Sequence, residues 1–399
     1  MARIESIEVA GYKSIRSAMI PLGALNVLIG ANGSGKSNLL GVFGLLASLL
    51  DRRLQLHVGR QGGADRILHF GRKVTSSLRV CLRFGRPAYE AVLVPTDDNT
   101  LVFEEENAWD GKPFRSPFAN PSIFADDAEA GGAGDQLGPG GHLESGLPAS
   151  ASSPAFPGMT GGAVGPGASS TGAHAGGSAI APVALEMRGR RLYHFHDTSS
   201  SARLKQKQPI DDNRALHPEG DNLAPFLFAL KTVSPGAYHR IVEAVRAVAP
   251  FFDDFALAPD TLNPELIQLE WRHVSHERQF GPAALSDGTL RFMCLATLLL
   301  QPEPPSTILI DEPELGLHPF AIHQFGALVR SAAVTTQIIL ATQSVTLLDE
   351  FNADQTIVCE QHEGASVFRR VEEHTLAAWR DEYSLGELWM KNILGGRPR

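Results

Sequence analysis

Hydrophobic positions recur along this chain with two different periods, and the switch between them outlines its organisation. Near the N-terminus Ile4, Ile7 and Val9 alternate with polar residues, and Leu25 to Ile29 is a short unbroken apolar run. Residues 3–29 therefore predict short strands, the last of them buried. From Lys36 to about Leu50 apolar residues crowd together, which predicts a buried core helix. Alternation returns over 78–84, 91–94 and 101–103 and predicts antiparallel strands. The pattern then stops. From Asp126 to Pro182, about 40 of 57 residues are Gly, Ala, Ser or Pro, a mixture that buries too little apolar surface to offset the entropy of ordering. This stretch is expected to be a disordered insertion in a loop.

Order is expected to resume near Ala184, with strands over 185–187 and 192–195 and helices over 222–231 and 235–248. Strands over 254–258 and 265–274 follow. A helix (289–301), a strand (306–311), a helix (319–333) and a strand (336–341) then alternate, as in a parallel α/β sheet. The expected divisions are 1–125, the insertion 126–182, and 183–399. No internal repeat and no heptad pattern is present.

Composition narrows the class. The chain has 399 residues, 43% of them hydrophobic and 20% charged, which suffices for a buried core. A formal net charge of -9 supplies no global positive field for nucleic acid, leaving only a local basic patch for that role. The three cysteines, Cys81, Cys294 and Cys359, are far apart and form no metal-ligand pair; buried free thiols in a reducing compartment fit them. No apolar run is long enough to span a bilayer, and Glu5 and Glu8 near the start are unlike a signal peptide. A soluble cytoplasmic protein with no membrane contact is expected.

Candidate chemistry begins at Gly30. Gly30-Ala31-Asn32-Gly33-Ser34-Gly35-Lys36-Ser37, followed by Asn38, matches G-x-x-x-x-G-K-[ST] between a predicted strand and a predicted helix. Glycines let successive N–H groups turn toward phosphate oxygens, and the helix N-terminus adds a favourable dipole. Lys36 suits the β- and γ-phosphates of ATP, and the Ser37 hydroxyl suits Mg²⁺. A second element, Ile308-Leu309-Ile310-Asp311-Glu312, is an apolar strand that delivers two carboxylates at its C-terminal end, where parallel sheets bind ligands. Asp311 is the candidate for holding Mg²⁺ and Glu312 for polarising the attacking water. A third, Leu285-Ser286-Asp287-Gly288-Thr289, opens a helix just upstream, with Ser286 or Asp287 able to cap it.

Other signals have simpler readings. His194 and His196, near Asp197, suit a structural strand better than a metal site. Arg188, Arg190, Arg191, Arg203, Lys205 and Lys207 form the strongest basic cluster, with a solvated face as its default and a nucleic-acid or partner contact as the alternative. Asp211-Asp212-Asn213 reads as a turn.

Taken in order, the phosphate loop, the Ser-Asp-Gly helix and the Asp-Glu strand lead to Glu314-Leu315-Gly316-Leu317-His318-Pro319 and Ile338-Ile339-Leu340-Ala341-Thr342-Gln343-Ser344. This series resembles the ATP-binding-cassette ATPases, particularly their RecF/SMC/OLD-like branch. Gly11-Tyr12-Lys13-Ser14-Ile15, Tyr193 to Asp197 and Leu385 to Trp389 add to the likeness. The resemblance covers about 1–72 and 184–399. It implies an α/β ATPase head: a phosphate-loop parallel sheet, an antiparallel β lobe and a helical lateral lobe. It also implies a signature segment at Ser286, Asp287 and Gly288 that closes over the ATP of a second subunit in a head-to-head homodimer, with 314–319 coupling the two sites. The family's switch position is often histidine; here it is Gln343, which can donate a hydrogen bond but carries no charge. The glutamine linking the metal to the lateral lobe is assigned to Gln61 in preference to Gln55. Relatives serve DNA repair or anti-phage and toxin-like systems, so DNA or a separately encoded effector (a nuclease or toxin-like protein) is the implied partner. A transporter subunit and a scaffold that binds ATP but scarcely hydrolyses it are the competing readings.

Overall fold

A computed structural model describes residues 2–85, 87–109, 135–136, 141–146, 180–187, 189–379 and 382–397. Two six-stranded sheets organise them. The first is antiparallel: β1 (Ser6–Tyr12) lies between β2 (Ile15–Pro21) and β4 (Leu78–Arg83), and β5 (Ala88–Pro95), β6 (Leu101–Trp109) and the short pair Asp135–Gln136 extend it. The second runs Ala365–Arg370, Thr356–His362, β3 (Leu25–Ile29), Gln337–Thr342, Thr307–Asp311, Arg190–Tyr193. All its neighbours are parallel except the edge strand Ala365–Arg370. The expected α/β head with a parallel core and a β lobe is observed.

Alternation along the central strands explains the layers. Val27 and Ile29 on β3, with Ile308, Ile310, Ile338 and Leu340, face a core shared with the helices Leu223–Val233, Pro235–Val248, Asp287–Leu300 and Pro319–Ala332. Leu28, Leu309, Ile339 and Ala341 face the opposite core, which contains α1 (Lys36–Leu50) and residues Ile7, Val9, Val80 and Leu82 of the antiparallel sheet. Both faces are covered, so strands such as Leu25–Ile29 are apolar throughout, as parallel strands are. The sandwiched helix α1 buries Leu39, Leu40, Val42, Phe43, Leu45, Leu46, Leu49 and Leu50, and this two-sided burial accounts for its crowded apolar run.

Three expectations need correction. Residues 185–187 end a helix, Ile180–Met187, rather than forming a strand; Val183, Ala184 and Met187 are buried at helical spacing, a stripe that begins just after the low-complexity stretch. The single strand expected over 265–274 is two short ones, Leu266–Ile267 and Trp271–His273, and an unexpected edge strand, His276–Phe280, follows. That strand is almost wholly exposed, so no apolar alternation marks it. Most of the insertion expected over 126–182 lies outside the described residues, but 141–146 within it is held by tertiary hydrogen bonds. Fully buried Glu106 of β6 accepts hydrogen bonds from Tyr89 Oη (2.8 Å), Gly146 N (2.7 Å) and Ser145 Oγ, with His142 Nε2 at 3.2 Å. The His142 ring stacks on Phe103 at 4.4 Å. Glu144 accepts from Leu54 N (2.8 Å) and Gln55 N (3.2 Å), a carboxylate at the start of α2 (Leu54–Arg60) where the helix dipole favours it. Backbone donors of α2 and one buried carboxylate hold a segment whose one apolar side chain, Leu143, is exposed.

Candidate functional site

The phosphate loop leaves β3 and enters α1, and two of its glycines are required sterically. A Cβ on Gly30 (φ 154°) would lie 2.2 Å from the Cys359 carbonyl oxygen, and one on Gly35 (φ 110°) would lie 2.0 Å from Ser366 Oγ. Lys36 is buried, and its Nζ donates to the carbonyls of Gly30 (2.6 Å) and Ala31 (3.1 Å), so the cation is held inside its own loop. Burial lowers the Lys36 pKa; Cys359, Glu312, Asp311 and Glu314 oppose that shift. Asn38 Nδ2 donates to Ser14 Oγ at 2.7 Å, and Ser366 Oγ reaches the same hydroxyl at 2.6 Å. The β1–β2 turn and the edge hairpin therefore brace the loop from outside.

The strand Thr307–Asp311 runs parallel to Gln337–Thr342 and brings the acidic pair to this loop. Asp311 shares a hydrogen bond with Ser37, yet its buried Oδ1 has no hydrogen-bond partner among the described residues. Burial raises the Asp311 pKa and nearby Glu312 adds to the rise, while Ser37, His196 and Lys36 act against it. Glu312 sits in the left-handed region (φ 47°), a conformation that costs a non-glycine residue about 1–2 kcal/mol. Its N–H donates to the Ala341 carbonyl (2.9 Å), and its Oε1 accepts from Gln343 Nε2. Lys36, Ser37, Asp311, Glu312 and Gln343 are thus drawn together from three segments.

A buried carboxylate oxygen without a partner, beside a serine hydroxyl and a confined ammonium, suits a hard divalent cation that takes its remaining ligands from phosphate and water. Ser37 and Asp311 fit Mg²⁺ on these grounds. No cluster of three or more His, Cys, Asp or Glu side chains forms a metal cage among the described residues. His194 and His196 diverge: His194 Nε2 lies 3.6 Å from Glu219, and His196 Nε2 donates to the Asp311 carbonyl at 3.0 Å.

Ser286 caps the helix Asp287–Leu300, accepting from Thr289 N at 3.1 Å. Asp287 pairs with Lys205 at 3.3 Å, and a Cβ on Gly288 would lie 2.2 Å from the Gly316 carbonyl oxygen. These contacts stay within the helical lobe and the 314–319 loop; none of the hydrogen bonds of Ser286 or Asp287 among the described residues reaches residues 30–38. Gln61 follows α2 at the surface, and its Oε1 accepts from Lys13 Nζ at 3.0 Å. That contact ties it to the β1–β2 turn, and it makes no hydrogen bond to Ser37 or Asp311 among the described residues. Gln55 is structural, donating to the carbonyls of Leu101 (2.7 Å) and Leu143 (2.9 Å). The basic cluster is dispersed onto carboxylates: Arg203 with Asp221, Lys205 with Asp287, Lys207 with Asp260, and buried Arg190 stacked 4.5 Å over Phe84.

Sequence reasoning missed four contributors. Ser14 lay in a quoted motif without a role. Ser366 and Arg291 carried no signal. Arg291 donates to the carbonyls of Leu315 (2.7 Å) and His196 (2.9 Å), bridging the signature helix to the acidic strand's loop. Thr342, the fourth, is taken up below.

A phosphate loop, an acidic parallel strand and a serine-capped helix around a parallel sheet give the chain the fold of an ATP-binding-cassette ATPase head, the fold of SMC heads. The chain belongs to the family described as "AAA domain, putative AbiEii toxin, Type IV TA system", which matches residues 25–152 and 176–349. Among solved structures it is similar to an Smc head bound to the C-winged helix domain of ScpA, with a TM-score of 0.55, 16% identity, and coverage of 93% of this chain and 98% of that one. It is also similar to an Smc head domain with an extended coiled coil, bound to the C-terminal domain of ScpA, from Pyrococcus furiosus (TM-score 0.54, 14% identity, 96% and 99% covered). A third is an Smc head domain with a coiled coil and joint from Pyrococcus yayanosii (TM-score 0.50, 11% identity, 94% and 98% covered). These likenesses concern the fold. No curated protein matches the chain.

Proposed function

We propose that this protein binds ATP with Mg²⁺ and hydrolyses it as a conformational switch. The observation that carries the reading is the convergence of Lys36, Ser37, Asp311, Glu312 and Gln343 on one point of the sheet edge. Lys36 exchanges the Gly30 and Ala31 carbonyls for the β- and γ-phosphates, and the amides of 31–35 line the phosphates. Bound Mg²⁺ supplies charge neutralisation at those phosphates, held by Ser37 and Asp311. Glu312 takes the proton of the attacking water, and Gln343 orients Glu312 through its amide.

The switch is read between copies. Ser286 is solvent-exposed at a helix N-terminus, and in this reading it contacts the nucleotide of a second copy. A separately encoded effector or DNA receives the motion, in repair or anti-phage defence. No described helix is long and apolar enough to cross a membrane. One observation favours the scaffold alternative: the Gln343 amide already occupies Glu312 Oε1.

Steady-state phosphate release and ATP calorimetry on wild type and Lys36→Ala test this. Wild type should release phosphate, and the variant should lose ATP affinity by at least about 100-fold, as expected when a cation buried beside phosphate is deleted. Unchanged binding by Lys36→Ala would sink the site assignment; tight binding without release by wild type would favour the scaffold.

A further inference from the structure

Glu314 is a carboxylate that the proposed chemistry leaves unused, and its side-chain hydrogen bonds go to residues 342 and 343 and not to the phosphate loop among the described residues. Its Oε1 accepts from two donors of the segment after the strand Gln337–Thr342: Thr342 Oγ1 at 2.7 Å and the Gln343 backbone N–H at 2.8 Å. Its Oε2 is buried and has no hydrogen-bond partner among the described residues. Thr342 is itself fully buried, and its Oγ1 also accepts from Ser344 N at 2.9 Å. Three consecutive residues, 342 to 344, are therefore pinned by a single carboxylate oxygen and the hydroxyl it holds.

The pinned segment carries the Gln343 side chain that donates to Glu312 Oε1. Loop geometry alone does not fix that side chain, because Gln343 lies past the end of its strand. Without Glu314, the Gln343 N–H and the Thr342 hydroxyl would lack their acceptor, and the segment would be free to turn.

We propose that Glu314 is a positioning residue for ATP hydrolysis, setting the backbone at Thr342 and Gln343 so that the Gln343 amide holds Glu312 toward the attacking water. The proposal deepens the ATPase reading and rests on it. Only lone pairs on Oε1 are needed, so the role does not require the negative charge. Burial raises the Glu314 pKa, and the Gln343 and Thr342 hydrogen bonds oppose that rise; a neutral side chain with the same acceptor atom is compatible with the site. Glutamine retains that acceptor, whereas alanine removes it.

The test is a set of variants in the full chain, read by phosphate release against ATP concentration, with melting temperature as the folding control. Glu314→Ala should lower kcat by about 10- to 100-fold, the usual cost of removing a residue that orients a reacting group, while KM for ATP stays within about twofold. Glu314→Gln should restore most of that loss. In a Gln343→Ala background, Glu314→Ala should add little, because residues acting through one another are non-additive. If Glu314→Gln folds and is as slow as Glu314→Ala, the charge acts directly and the proposal is overturned. It is also overturned if the Glu314→Ala and Gln343→Ala losses multiply, or if Glu314→Ala leaves kcat unchanged. Should Glu314→Ala not fold, the glutamine variant alone decides. Wild type that releases no more phosphate than Lys36→Ala overturns the ATPase reading and this proposal together; a turning-over wild type with unaffected Glu314→Ala overturns this proposal alone.

Discussion

Glu312→Gln separates the chemistry from the architecture, because the structure indicates which contacts the substitution keeps. The Glu312 backbone is fixed in its left-handed conformation by the N–H bond to Ala341, which is untouched. A glutamine Oε1 can still accept from Gln343 Nε2, so the side chain has reason to stay where it is. Removing the charge also relieves Asp311, whose raised pKa owes part of its shift to Glu312; the melting temperature should therefore not fall. Only the proton acceptor is lost. General-base contributions are about 10²–10⁴-fold, or roughly 3–5 kcal/mol of barrier, so phosphate release should drop by at least about 100-fold while ATP affinity is kept. In size-exclusion light scattering the variant should show a rise in mass that depends on ATP, and adding Ser286→Arg should abolish it by placing a bulky side chain at the interface. Normal hydrolysis by the single variant would show that Glu312 is not the base. Retained nucleotide with no mass change would refute the head-to-head dimer and leave the ATPase reading standing.

Two further outcomes follow from the geometry. Gly288→Ala gains up to about 1 kcal/mol of helix propensity, but its Cβ meets the Gly316 carbonyl at 2.2 Å, backbone against backbone. Overpacking of this kind costs about 1–3 kcal/mol, so thermal melting should show a net loss and phosphate release should fall, and a stabilised, fully active variant would refute the contact. Asp311→Asn should raise the melting temperature of the nucleotide-free protein by on the order of 1–2 °C while removing Mg²⁺-dependent turnover. Because the folded Asp311 pKa is raised, burying the charged form is unfavourable; wild type regains that stability as pH falls through the raised pKa. The gap between variant and wild type should therefore shrink toward acid pH, and a gap that widens there would contradict the assigned shift.

The legible parts of the fold are those whose reason is local. Residues 36 to 50 form the expected helix because a helix covered on two sides shows its burial in every turn. The strands at 307–311 and 337–342 could be read because both faces are apolar. The phosphate loop could be read because glycines, lysine and serine stand at fixed spacing in a short motif between a strand and a helix. Where the cause is distant, the sequence is silent. Gly35 must be glycine because of Ser366, more than 300 residues away in the chain, and nothing around Ser366 announces that role. The edge strand His276–Phe280 pairs through its backbone and exposes its side chains, leaving no pattern to detect. Residues 141–146 are held by Glu106 and by the start of α2, not by any apolar residue of theirs. Composition alone gives no sign of the hydrogen bonds that hold residues 141–146.

The acidic strand shows the same division inside a single motif. Asp311 and Glu312 announce themselves because their chemistry needs carboxylates at a strand's C-terminal end. Glu314, two residues later, looks like part of the same acidic turn, yet its oxygen is spent on the backbone of Gln343. Gly316, two further on, is pressed against Gly288 at the start of the signature helix, and the Leu315 carbonyl between them accepts from Arg291 of that helix. Arg291 then bonds the His196 carbonyl, and the His196 ring returns to the Asp311 carbonyl. The loop after the acidic strand thus joins residues 342–343 to the helix Asp287–Leu300 through backbone carbonyls and amides, held by the Glu314, Arg291 and His196 side chains, and one glycine contact. Backbone groups are nearly independent of residue type, so this connection leaves little trace in the sequence. A displacement at residues 342–344 therefore has a short route to the helix that carries Ser286, through the two carboxylates that bond this segment: Glu314 on its backbone and Glu312 on the Gln343 side chain.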